Sequence, residues 1–570
     1  MLRDVGYLLL LGSIPALTLL HLVVAPYTKV EESFHIQAIH DIKTFGIPTR
    51  NVYDIFHTEY DHFTFPGAVP RTFAGAVVLS SLSAPFTWVN QDVNGQFAAR
   101  AILGLFNALS LLSFARGLRR AAGKAAAIWY VLFQASQFHV IYYASRTLSN
   151  MFAFGMTTFA LAALLPAPLD GQTYRRQSRV ALYLITIAGI VFRAELALFL
   201  ATHTIFLFAT GRISIQREII PAGILGLILG LAITIPVDSF FWQEPFLWPE
   251  LAAFKFNVLA GQASAWGTHP WHYYFTNALP RLLLNPLTYL IGIPISLLQP
   301  ATRRISASVL IPSLAYIAIY SAQPHKEWRF IVYAIPSLTA AAALGASYIW
   351  TRRAKSFIYR FLSLSMIGTT FVSFAISSFI LLPASSANYP GAHALNAIHT
   401  HVLATTPRPG NSPLFLNIHL GNLACQTGVT RFLQLPSTQH KDTDSSYISW
   451  HYDKSDSQSQ KTSPAFWSRF DYILLEPNEA DTVRALSTTT DWDEVETVTA
   501  FAGIRVLRPG DEAETVVEER ILRKVLGGTA DGLINWWKAF VGLVRSKVTR
   551  GWWVEVRMEP RIRILEKVKG

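Results

Sequence analysis

Two adjacent carboxylic acids, Glu31 and Glu32, follow the first long apolar segment of this 570-residue chain. If that segment is a membrane helix, a carboxylate beside it has apolar neighbours that perturb its ionisation, as a general base requires. If a helix begins at these acids, consecutive side chains point about 100° apart, so only one acid can face a given substrate atom. This predicts one catalytic acid and one structural acid. The alternative is that both acids merely favour the macrodipole of a helix start, and position alone does not decide between the two.

A second group of reactive side chains occupies residues 325–330, between two apolar segments. His325, Lys326 and Arg329 supply three potential cations beside the aromatic ring of Trp328. Arginine offers phosphate a bidentate fork and lysine offers it a point charge, so this group suits a lipid phosphate. Interfacial anchoring by Trp, Lys and Arg is the alternative. The group is dense and lies on the side where the charge pattern predicts few basic residues, which favours a function.

A third candidate is the aromatic segment at 238–279. It contains Trp242, Trp248, Trp266, His269, Trp271, His272 and Tyr273. Aromatic faces with a few polar groups suit a sugar or a polyprenyl chain and equally an interfacial belt, so both interpretations stay open. The histidines lack an acid or thiol at metal-ligand spacing, so no metal site is predicted. The chain has no Walker-type loop and no dinucleotide fingerprint, which argues against a nucleotide-driven pump or a nucleotide-sugar enzyme.

The composition indicates that these groups are positioned by membrane helices. Hydrophobic residues make up 51% of the chain, charged residues make up 15%, and the mean hydropathy is +0.31, values unlike those of soluble proteins. The apolar runs after the segment at 7–24 lie at 97–115, 125–143, 147–166, 180–192, 194–209, 219–237, 280–298, 305–322, 329–349 and 361–382. These runs predict an all-α polytopic membrane protein with about eleven transmembrane helices.

The charge pattern predicts how the chain is oriented. The formal net charge of +12 comes from short Lys and Arg clusters between the apolar runs. Such clusters mark cytoplasmic loops, which argues against nucleic acid as a partner. The polar stretch after the first helix, the segments at 238–279 and 325–330, and the C-terminal part then lie on the lumenal side. The apolar segment 68–89 fits this alternation only as a re-entrant or surface element. Arg193 and Glu195 interrupt an apolar run, which predicts a lumenal turn or, alternatively, a buried ion pair within one helix.

Changes in composition divide the chain into three parts. Residues 1–383 are the expected transmembrane catalytic domain, with a first lumenal loop at 26–68. From 384 to 515, polar runs separate short strand-like pieces, which predicts a small lumenal α+β domain with a mobile loop at 441–461. The tail at 516–570 mixes Trp with Lys and Arg and suits an amphipathic helix on a membrane surface or one packed on its own domain. The single cysteine, Cys425, excludes an intrachain disulfide.

Several short stretches resemble the multi-span mannosyltransferases that use dolichyl-phosphate mannose, a family of GT-C architecture. They are Lys29-Val-Glu-Glu-Ser-Phe-His-Ile-Gln-Ala-Ile-His-Asp, Tyr60-Asp-His-Phe-Thr-Phe-Pro-Gly-Ala-Val-Pro-Arg-Thr-Phe, Ser136-Gln-Phe-His, Ser145-Arg-Thr-Leu-Ser-Asn, Trp266-Gly-Thr-His-Pro-Trp and the family hallmark His325-Lys-Glu-Trp-Arg-Phe. The resemblance extends to about residue 391. Within the family, the chain looks most like the members that add the eighth, alpha-1,6-linked mannose to Man7GlcNAc2-diphosphodolichol in N-glycan precursor assembly.

The resemblance implies an inverting glycosyl transfer at the endoplasmic reticulum membrane, with the active site facing the lumen. The beta-linked mannose of the donor becomes alpha-linked in the product, so one displacement with one general base suffices. Relatives acting at other mannose positions commonly carry Pro-Asp-Glu where this chain has Val30-Glu31-Glu32, which maps the base onto Glu31. No cofactor and no metal are expected. The implied partners are dolichyl-phosphate mannose, a dolichyl-diphosphate-linked oligosaccharide and membrane lipids of the endoplasmic reticulum.

The resemblance also implies substrate-binding residues in the matching stretches. His35 stands where the closest relatives usually have Asn, which leaves the role of this position open. The other candidates are Asp41, Asp61, His62, Arg71, Arg146, Trp266, His269, His325, Lys326 and Arg329.

Two further functions compete with this expectation. An alpha-1,2-mannosyltransferase of the same family, acting on an N-glycan or GPI-anchor precursor, would keep the fold and most site residues and change the acceptor, but the Val-Glu-Glu sequence argues against it. A transporter or lipid flippase also has many membrane helices and a few intramembrane charges. The sequence shows no paired halves that would indicate inverted repeats, and the large acidic loop after the first helix suits an enzyme better.

Overall fold

The computed structural model describes residues 2–166, 171–405, 414–435, 448–486 and 491–568, which form two compact units. The membrane unit comprises Met1–Leu22 and Asp41–Ser378, and the C-terminal unit comprises Val23–His40 and Phe379–Gly570. The break at 378 lies close to the expected boundary at 383. The structure differs from the expected division in two ways: the stretch 26–68 is shared between the units, and 516–570 is not separate from 384–515.

The chain up to residue 378 is helical. Its α-helices are α1 (Leu2–Val24), α2 (Val30–Phe45), α3 (Val52–Glu59), α4 (Asp61–Thr64), α5 (Ala74–Val89), α6 (Gly95–Ala122), α7 (Lys124–Ser136), α8 (Phe138–Tyr143), α9 (Ser149–Leu164), α10 (Gly171–Val191), α11 (Leu196–Ala209), α12 (Ile220–Trp242), α13 (Pro249–Phe254), α14 (Leu279–Leu283), α15 (Ile293–Leu298), α16 (Pro300–Tyr320), α17 (Ile335–Thr351) and α18 (Phe357–Ile376). The expected apolar segments are therefore helices, several of them broken or shorter than expected.

Five helical stretches among the described residues are long and apolar enough to cross a membrane. They are Val5–Val24, Gly95–Ala122, Ile215–Trp242, Val332–Thr351 and Phe357–Ser386. The pair Tyr274–Leu283 and Thr288–Leu298, bent by 111°, adds a sixth if it counts as one span. Helices α5, α9 and α11 are apolar but have only 10–17 residues, fewer than the roughly 20 that cross a bilayer. The chain is a multi-pass membrane protein, and the count of about eleven spans stays a prediction.

Helix α17 lies in the interior of the membrane unit, where 94% of its apolar window is buried. It packs against α7, α15 and α16. Small residues permit this close packing, because a Cβ atom added at Gly345 would lie 1.9 Å from the carbonyl oxygen of Gly292. The backbone approach at Gly345 therefore fixes α17, and with it the connection at 321–334 that carries the basic group at 325–330.

The C-terminal unit is built on a five-stranded mixed sheet. Its elements are α19 (Leu382–Ser386), α20 (Pro390–Thr405), β1 (Leu414–Leu420), α21 (Asn422–Gln426), β2 (Ile448–Asp453), α22 (Gln458–Lys461), α23 (Pro464–Trp467), β3 (Tyr472–Leu475), α24 (Pro477–Leu486), β4 (Trp492–Leu507), α25 (Val516–Leu526), α26 (Ala530–Lys547) and β5 (Trp553–Lys567). The strand order is β2-β1-β3-β5-β4, with β1 parallel to β2 and β3, and β5 antiparallel to β3 and β4. The unit is the α+β fold that the sequence predicts.

Two local predictions differ from the observed sheet. The tail at 516–570 was expected to be an amphipathic helix, either on a membrane surface or packed on its own domain. It forms α25 and α26, but then continues into β5, which lies between β3 and β4. The alternation of buried Ile562 and Ile564 with arginines is the strand signal, and its pairing partners lie far back in the chain. The expected loop at 441–461 contains β2 and α22, while 441–447 lies outside the described residues.

Candidate active site

The first turn of α2 gives the two adjacent acids different surroundings. The backbone N–H of Lys29 donates to Oε1 of Glu32 at 3.1 Å, and the Glu32 N–H donates to the Lys29 carbonyl at 3.0 Å. The Glu32 side chain is buried, with a relative exposure of 2%, whereas Glu31 is exposed. A carboxylate at the third helical position that accepts the N–H of the capping residue is one half of a capping box. Glu32 therefore has a structural role, and Glu31 is the acid that is open to solvent.

Segments from the end of the chain hold this acidic turn within the C-terminal unit. Lys29 forms an antiparallel bridge with Thr427. The Arg431 N–H donates to Oε1 of Gln37 at 3.1 Å, although the two residues are 394 positions apart. The position of the acids consequently depends on the fold of the C-terminal unit, since these contacts anchor the chain on both sides of Glu31 and Glu32.

His35 lies one turn beyond the acids in α2 and is fully buried. Its ring lies edge-on to that of Phe34, with centroids 5.3 Å apart and an interplanar angle of 83°. This packing favours a role in shaping the turn. Direct contact of His35 with substrate stays a prediction.

The candidates from Asp41 to Arg71 lie together in the membrane unit. The Asp61 N–H donates to Oδ2 of Asp41 at 2.8 Å and links α4 to the end of α2. The buried His62 donates its Nε2–H to the Phe241 carbonyl at 2.8 Å, and burial lowers the pKa of its imidazole. The indole N–H of the last residue of α12 donates to the Arg71 carbonyl at 3.0 Å, and the Arg71 side chain is exposed. These contacts attach the chain after α2 to the end of α12.

Arg146 lies apart from these residues, in the interior of the membrane unit. Its Nη2 donates to the Tyr142 hydroxyl at 2.5 Å, and its Cζ lies 4.3 Å from the centre of the same ring. The neighbouring Arg100 donates from Nε to the Ser145 carbonyl at 3.2 Å. These contacts connect α6 to the turn after α8, and a contact of Arg146 with substrate stays a prediction.

The basic group at 325–330 has an acid at its centre. Glu327 Oε1 lies 3.0 Å from His325 Nε2 and 2.6 Å from Arg329 Nη2, while Glu327 Oε2 lies 2.6 Å from Arg329 Nε. The second ring nitrogen of His325, Nδ1, lies 2.9 Å from the Gly267 carbonyl. Both ring nitrogens therefore face acceptors, and both hydrogen bonds form only when the imidazole carries two protons. Glu327 thus holds the imidazole of His325 and the guanidinium of Arg329 next to each other.

Lys326 connects the basic group to the aromatic segment. Its Nζ donates to the carbonyl oxygens of His269 at 2.9 Å and Gln323 at 2.5 Å, and burial lowers the pKa of the amine. The His269 N–H donates to the Pro324 carbonyl at 3.0 Å. The side chains of His269 and Trp266 are exposed beside this connection. The structure thus brings together five of the predicted residues: His325, Lys326, Arg329, Trp266 and His269. The ammonium group of Lys326 is hydrogen-bonded to backbone carbonyl oxygens.

A polar network at the turn between α10 and α11 adjoins the basic group. Glu195 Oε1 accepts from Arg193 Nε at 2.9 Å, Asn150 Nδ2 at 3.0 Å and the Tyr333 hydroxyl at 3.2 Å. Asn150 Nδ2 also lies 3.3 Å from the carbonyl oxygen of Arg329. The expected turn at Arg193 and Glu195 is confirmed, but its contact with the basic group was missed. The signal in the sequence that could have indicated this contact was the presence of charged residues within an apolar run.

Glu250 is a second acid of this network that sequence reasoning missed. Its Oε2 accepts the Ala194 N–H at 2.6 Å. Burial raises the pKa of the carboxyl to about 8, with Glu195 adding to the rise and Arg193 opposing it. A proton on Glu250 lowers the electrostatic repulsion between its carboxyl group and that of Glu195.

The part of the chain that the structure describes contains no group of three or more His, Cys, Asp or Glu side chains that could hold a metal ion. Metal independence stays a prediction, because the reaction itself has to test it.

The helical fold is that of a multi-pass membrane protein, and the family comparison identifies it as a glycosyltransferase. Residues 16–420 match the Alg9-like mannosyltransferase family, and the chain belongs to this family.

Relatives with a specific name cover most of the chain. The Dol-P-Man:Man(7)GlcNAc(2)-PP-Dol alpha-1,6-mannosyltransferase of Saccharomyces cerevisiae is 34% identical over 85% of this chain and 86% of its own length. The Arabidopsis thaliana protein of the same name is 34% identical over 76% of this chain and 81% of its own length. The GPI alpha-1,2-mannosyltransferase 3 of Homo sapiens is 27% identical over 46% of this chain and 45% of its own length.

Among solved structures, ArnT from Cupriavidus metallidurans bound to undecaprenyl phosphate superimposes with a TM-score of 0.55. The alignment covers 86% of this chain and 96% of ArnT at 14% identity. At this identity the likeness concerns the fold alone.

Proposed function

We propose that this protein transfers mannose from dolichyl-phosphate mannose to Man7GlcNAc2-diphosphodolichol and forms an alpha-1,6 linkage. One observation carries the choice of acceptor. The relatives named for this reaction match at 33–35% identity over 76–85% of the chain, whereas the GPI mannosyltransferases match at 25–29% over 36–46%. The alpha-1,2 alternative and the transporter alternative have no comparable support.

The general base of the proposed reaction is Glu31. The acceptor 6-hydroxyl oxygen attacks the anomeric carbon of mannose, Glu31 takes the hydroxyl proton, and the bond between that carbon and the phosphate oxygen breaks with its electron pair on the phosphate. An exposed carboxylate can reach a substrate hydroxyl, whereas Glu32 is buried with one oxygen on the Lys29 N–H. Glu32 therefore keeps the first turn of α2 in shape.

The basic group at 325–330 is proposed to bind the donor phosphate. The guanidinium of Arg329 carries a permanent positive charge, and the single carboxylate of Glu327 holds it and the imidazole of His325 close to one point. Charge develops on phosphate as the sugar departs, and fixed cations stabilise that charge without reorganising. Lys326 acts through backbone carbonyls and holds the segment 266–269 against the group.

The reaction is placed at the endoplasmic reticulum membrane, with Glu31 and the basic group on the lumenal side. The charge pattern of the loops and the names of the relatives support this placement. About eleven crossings are proposed, in which helices too short for a straight span cross where neighbouring helices cover their ends. No metal is proposed to take part.

The test is product analysis with the purified full-length protein, dolichyl-phosphate mannose and Man7GlcNAc2-diphosphodolichol, with and without EDTA. We expect one added hexose by mass and an alpha-1,6 linkage, equally with and without the chelator. An alpha-1,2 product would replace the proposed acceptor specificity with that of the sister enzymes. A well-folded protein that transfers no mannose would refute the proposed function, and loss of activity in EDTA would refute metal independence.

A further inference from the structure

Two arginines from different connections of the membrane unit meet at one aromatic ring. The guanidinium carbon of Arg193, in the turn between α10 and α11, lies 5.4 Å from the ring centre of Phe330. The guanidinium carbon of Arg329 lies 5.9 Å from the same centre. Each guanidinium group thus lies within about 6 Å of the Phe330 ring centre, and like charges near one side chain favour compensation by acids or by a bound anion. The positive charges of Arg193 and Arg329 therefore need negatively charged partners.

Each arginine is hydrogen-bonded to one carboxylate, Arg193 also interacts electrostatically with Glu250, and each has further N–H groups. Arg193 donates from Nε to Glu195, and Arg329 donates from Nε and Nη2 to Glu327. Across the described ranges of the chain, neither Nη atom of Arg193 and no Nη1 of Arg329 has a hydrogen-bond acceptor. The side chains are 24% and 22% exposed, so neither arginine is fully enclosed by the protein.

The environment of Arg193 fixes the direction of its guanidinium. The carboxylate of Glu195 is only 9% exposed and is held from two other sides by Asn150 and Tyr333. Asn150 also bonds the backbone of Arg329, so a single amide group connects the two arginine-bearing segments. The fork of Arg193 is thus oriented before any ligand binds, which lowers the entropic cost of binding.

An ion pair that only stabilises the turn is the simpler explanation of Arg193. It does not account for the geometry, because Glu195 already has donors from Asn150 and Tyr333, and Arg193 uses only one of its five N–H groups on it. A phosphate group is bound well by arginine N–H groups that are planar, fixed in direction and not used in other hydrogen bonds, particularly where a second arginine is close.

We propose that Arg193 is a second phosphate-binding arginine, and that the phosphate of dolichyl-phosphate mannose lies between the guanidinium groups of Arg193 and Arg329. This assignment rests on the proposed function. The phosphodiester of the donor carries one negative charge, and the departing dolichyl phosphate carries more as it receives the electron pair of the broken bond. Two arginines match the charge of the leaving group better than one, so Arg193 stabilises the product-like side of the reaction. Glu195 and Asn150 are positioning residues.

The experiment compares the full-length wild type with Arg193→Gln, Arg193→Lys and the control Arg217→Gln, which changes an exposed arginine of the membrane unit. The readouts are the KM of each substrate, the inhibition constant of dolichyl phosphate, and direct binding of dolichyl phosphate to the purified protein. For Arg193→Gln we expect the donor KM and both dolichyl phosphate constants to rise about 10- to 100-fold, as loss of a charged hydrogen-bonding partner implies. The same constants of Arg193→Lys should lie between those of the wild type and those of Arg193→Gln. The acceptor KM of the Arg193 variants, and all constants of Arg217→Gln, should equal those of the wild type.

Unchanged binding of dolichyl phosphate in a folded Arg193→Gln protein would overturn the assignment, as would a failure of both Arg193 variants to fold, which would make the residue a structural anchor. The binding arm does not depend on transfer. If the wild type transferred no mannose but bound dolichyl phosphate through Arg193, the proposed function would fail while this site would stand. If transfer proceeded normally and binding ignored Arg193, only this site would fail.

Discussion

Exchanging the two adjacent acids one at a time separates catalysis from stability. Glu31→Gln removes the proposed base while it leaves the bond between Glu32 and Lys29 in place. Loss of general-base catalysis costs a factor of about 10² to 10⁴ in kcat, or about 3–5 kcal/mol of transition-state stabilisation. Because Glu31 is exposed, we expect the thermal unfolding of this variant to stay close to that of the wild type.

The neighbouring substitutions should do the reverse. Glu32→Gln keeps an oxygen for the Lys29 N–H and loses the charge near the helix start, and loss of that charge costs about 0.3–1 kcal/mol of stability. Glu32→Ala removes that acceptor at a buried position and should cost about 1–3 kcal/mol. Both proteins should keep a substantial kcat, since the proposed base is intact, with Glu32→Ala reduced further by distortion of the turn.

The assay is mannose transfer under saturating donor and acceptor, combined with thermal unfolding of each protein in the same detergent. The division of roles would be refuted if Glu32→Gln lost as much kcat as expected of Glu31→Gln while remaining stable. It would also be refuted if Glu31→Gln kept wild-type kcat, in which case the base must be sought among other acids.

Three further results are expected. Lys326→Met removes the donor to two backbone carbonyls, so the donor KM should rise in kinetic assays while kcat is less affected; an unchanged KM would contradict this positioning role. Gly345→Val should yield little folded protein on size-exclusion chromatography, because a Cβ there meets the Gly292 carbonyl at 1.9 Å, whereas Gly368→Ala, with no atom within 4 Å of its Cβ, should be tolerated. The raised pKa of Glu250 means that the folded state binds a proton which the unfolded state has lost between pH 4.5 and about 8. The stability should therefore fall as pH rises through this window, and Glu250→Gln should flatten the dependence of the unfolding temperature on pH; an identical slope in the variant would contradict the assignment.

The helical membrane fold could be predicted from local sequence. Apolar runs such as those at 97–115 and 329–349 became α6 and α17, because a bilayer requires about 20 apolar residues in a form that satisfies every backbone group internally. Charges inside an apolar run predicted the turn at Arg193 for the same reason. The strand β5 was missed, since its partners β3 and β4 precede it by long stretches of chain and its alternation covers only part of its length.

The sequence predicted which types of residue form the candidate site, but it did not predict the role of each residue. The sequence by itself determined that an acid pair follows the first membrane helix and that a dense basic group lies between two later helices. It also determined that the chain is a membrane protein. These features could be read from the sequence because composition and spacing are local properties. Tertiary structure alone decided that Glu32 caps α2 while Glu31 stays exposed, that the ammonium of Lys326 is used on carbonyls, and that Arg193 meets Arg329 at Phe330. The physical reason is that burial and hydrogen-bond partners are supplied by segments distant in the chain, and these set the charge, the direction and the accessibility of each side chain.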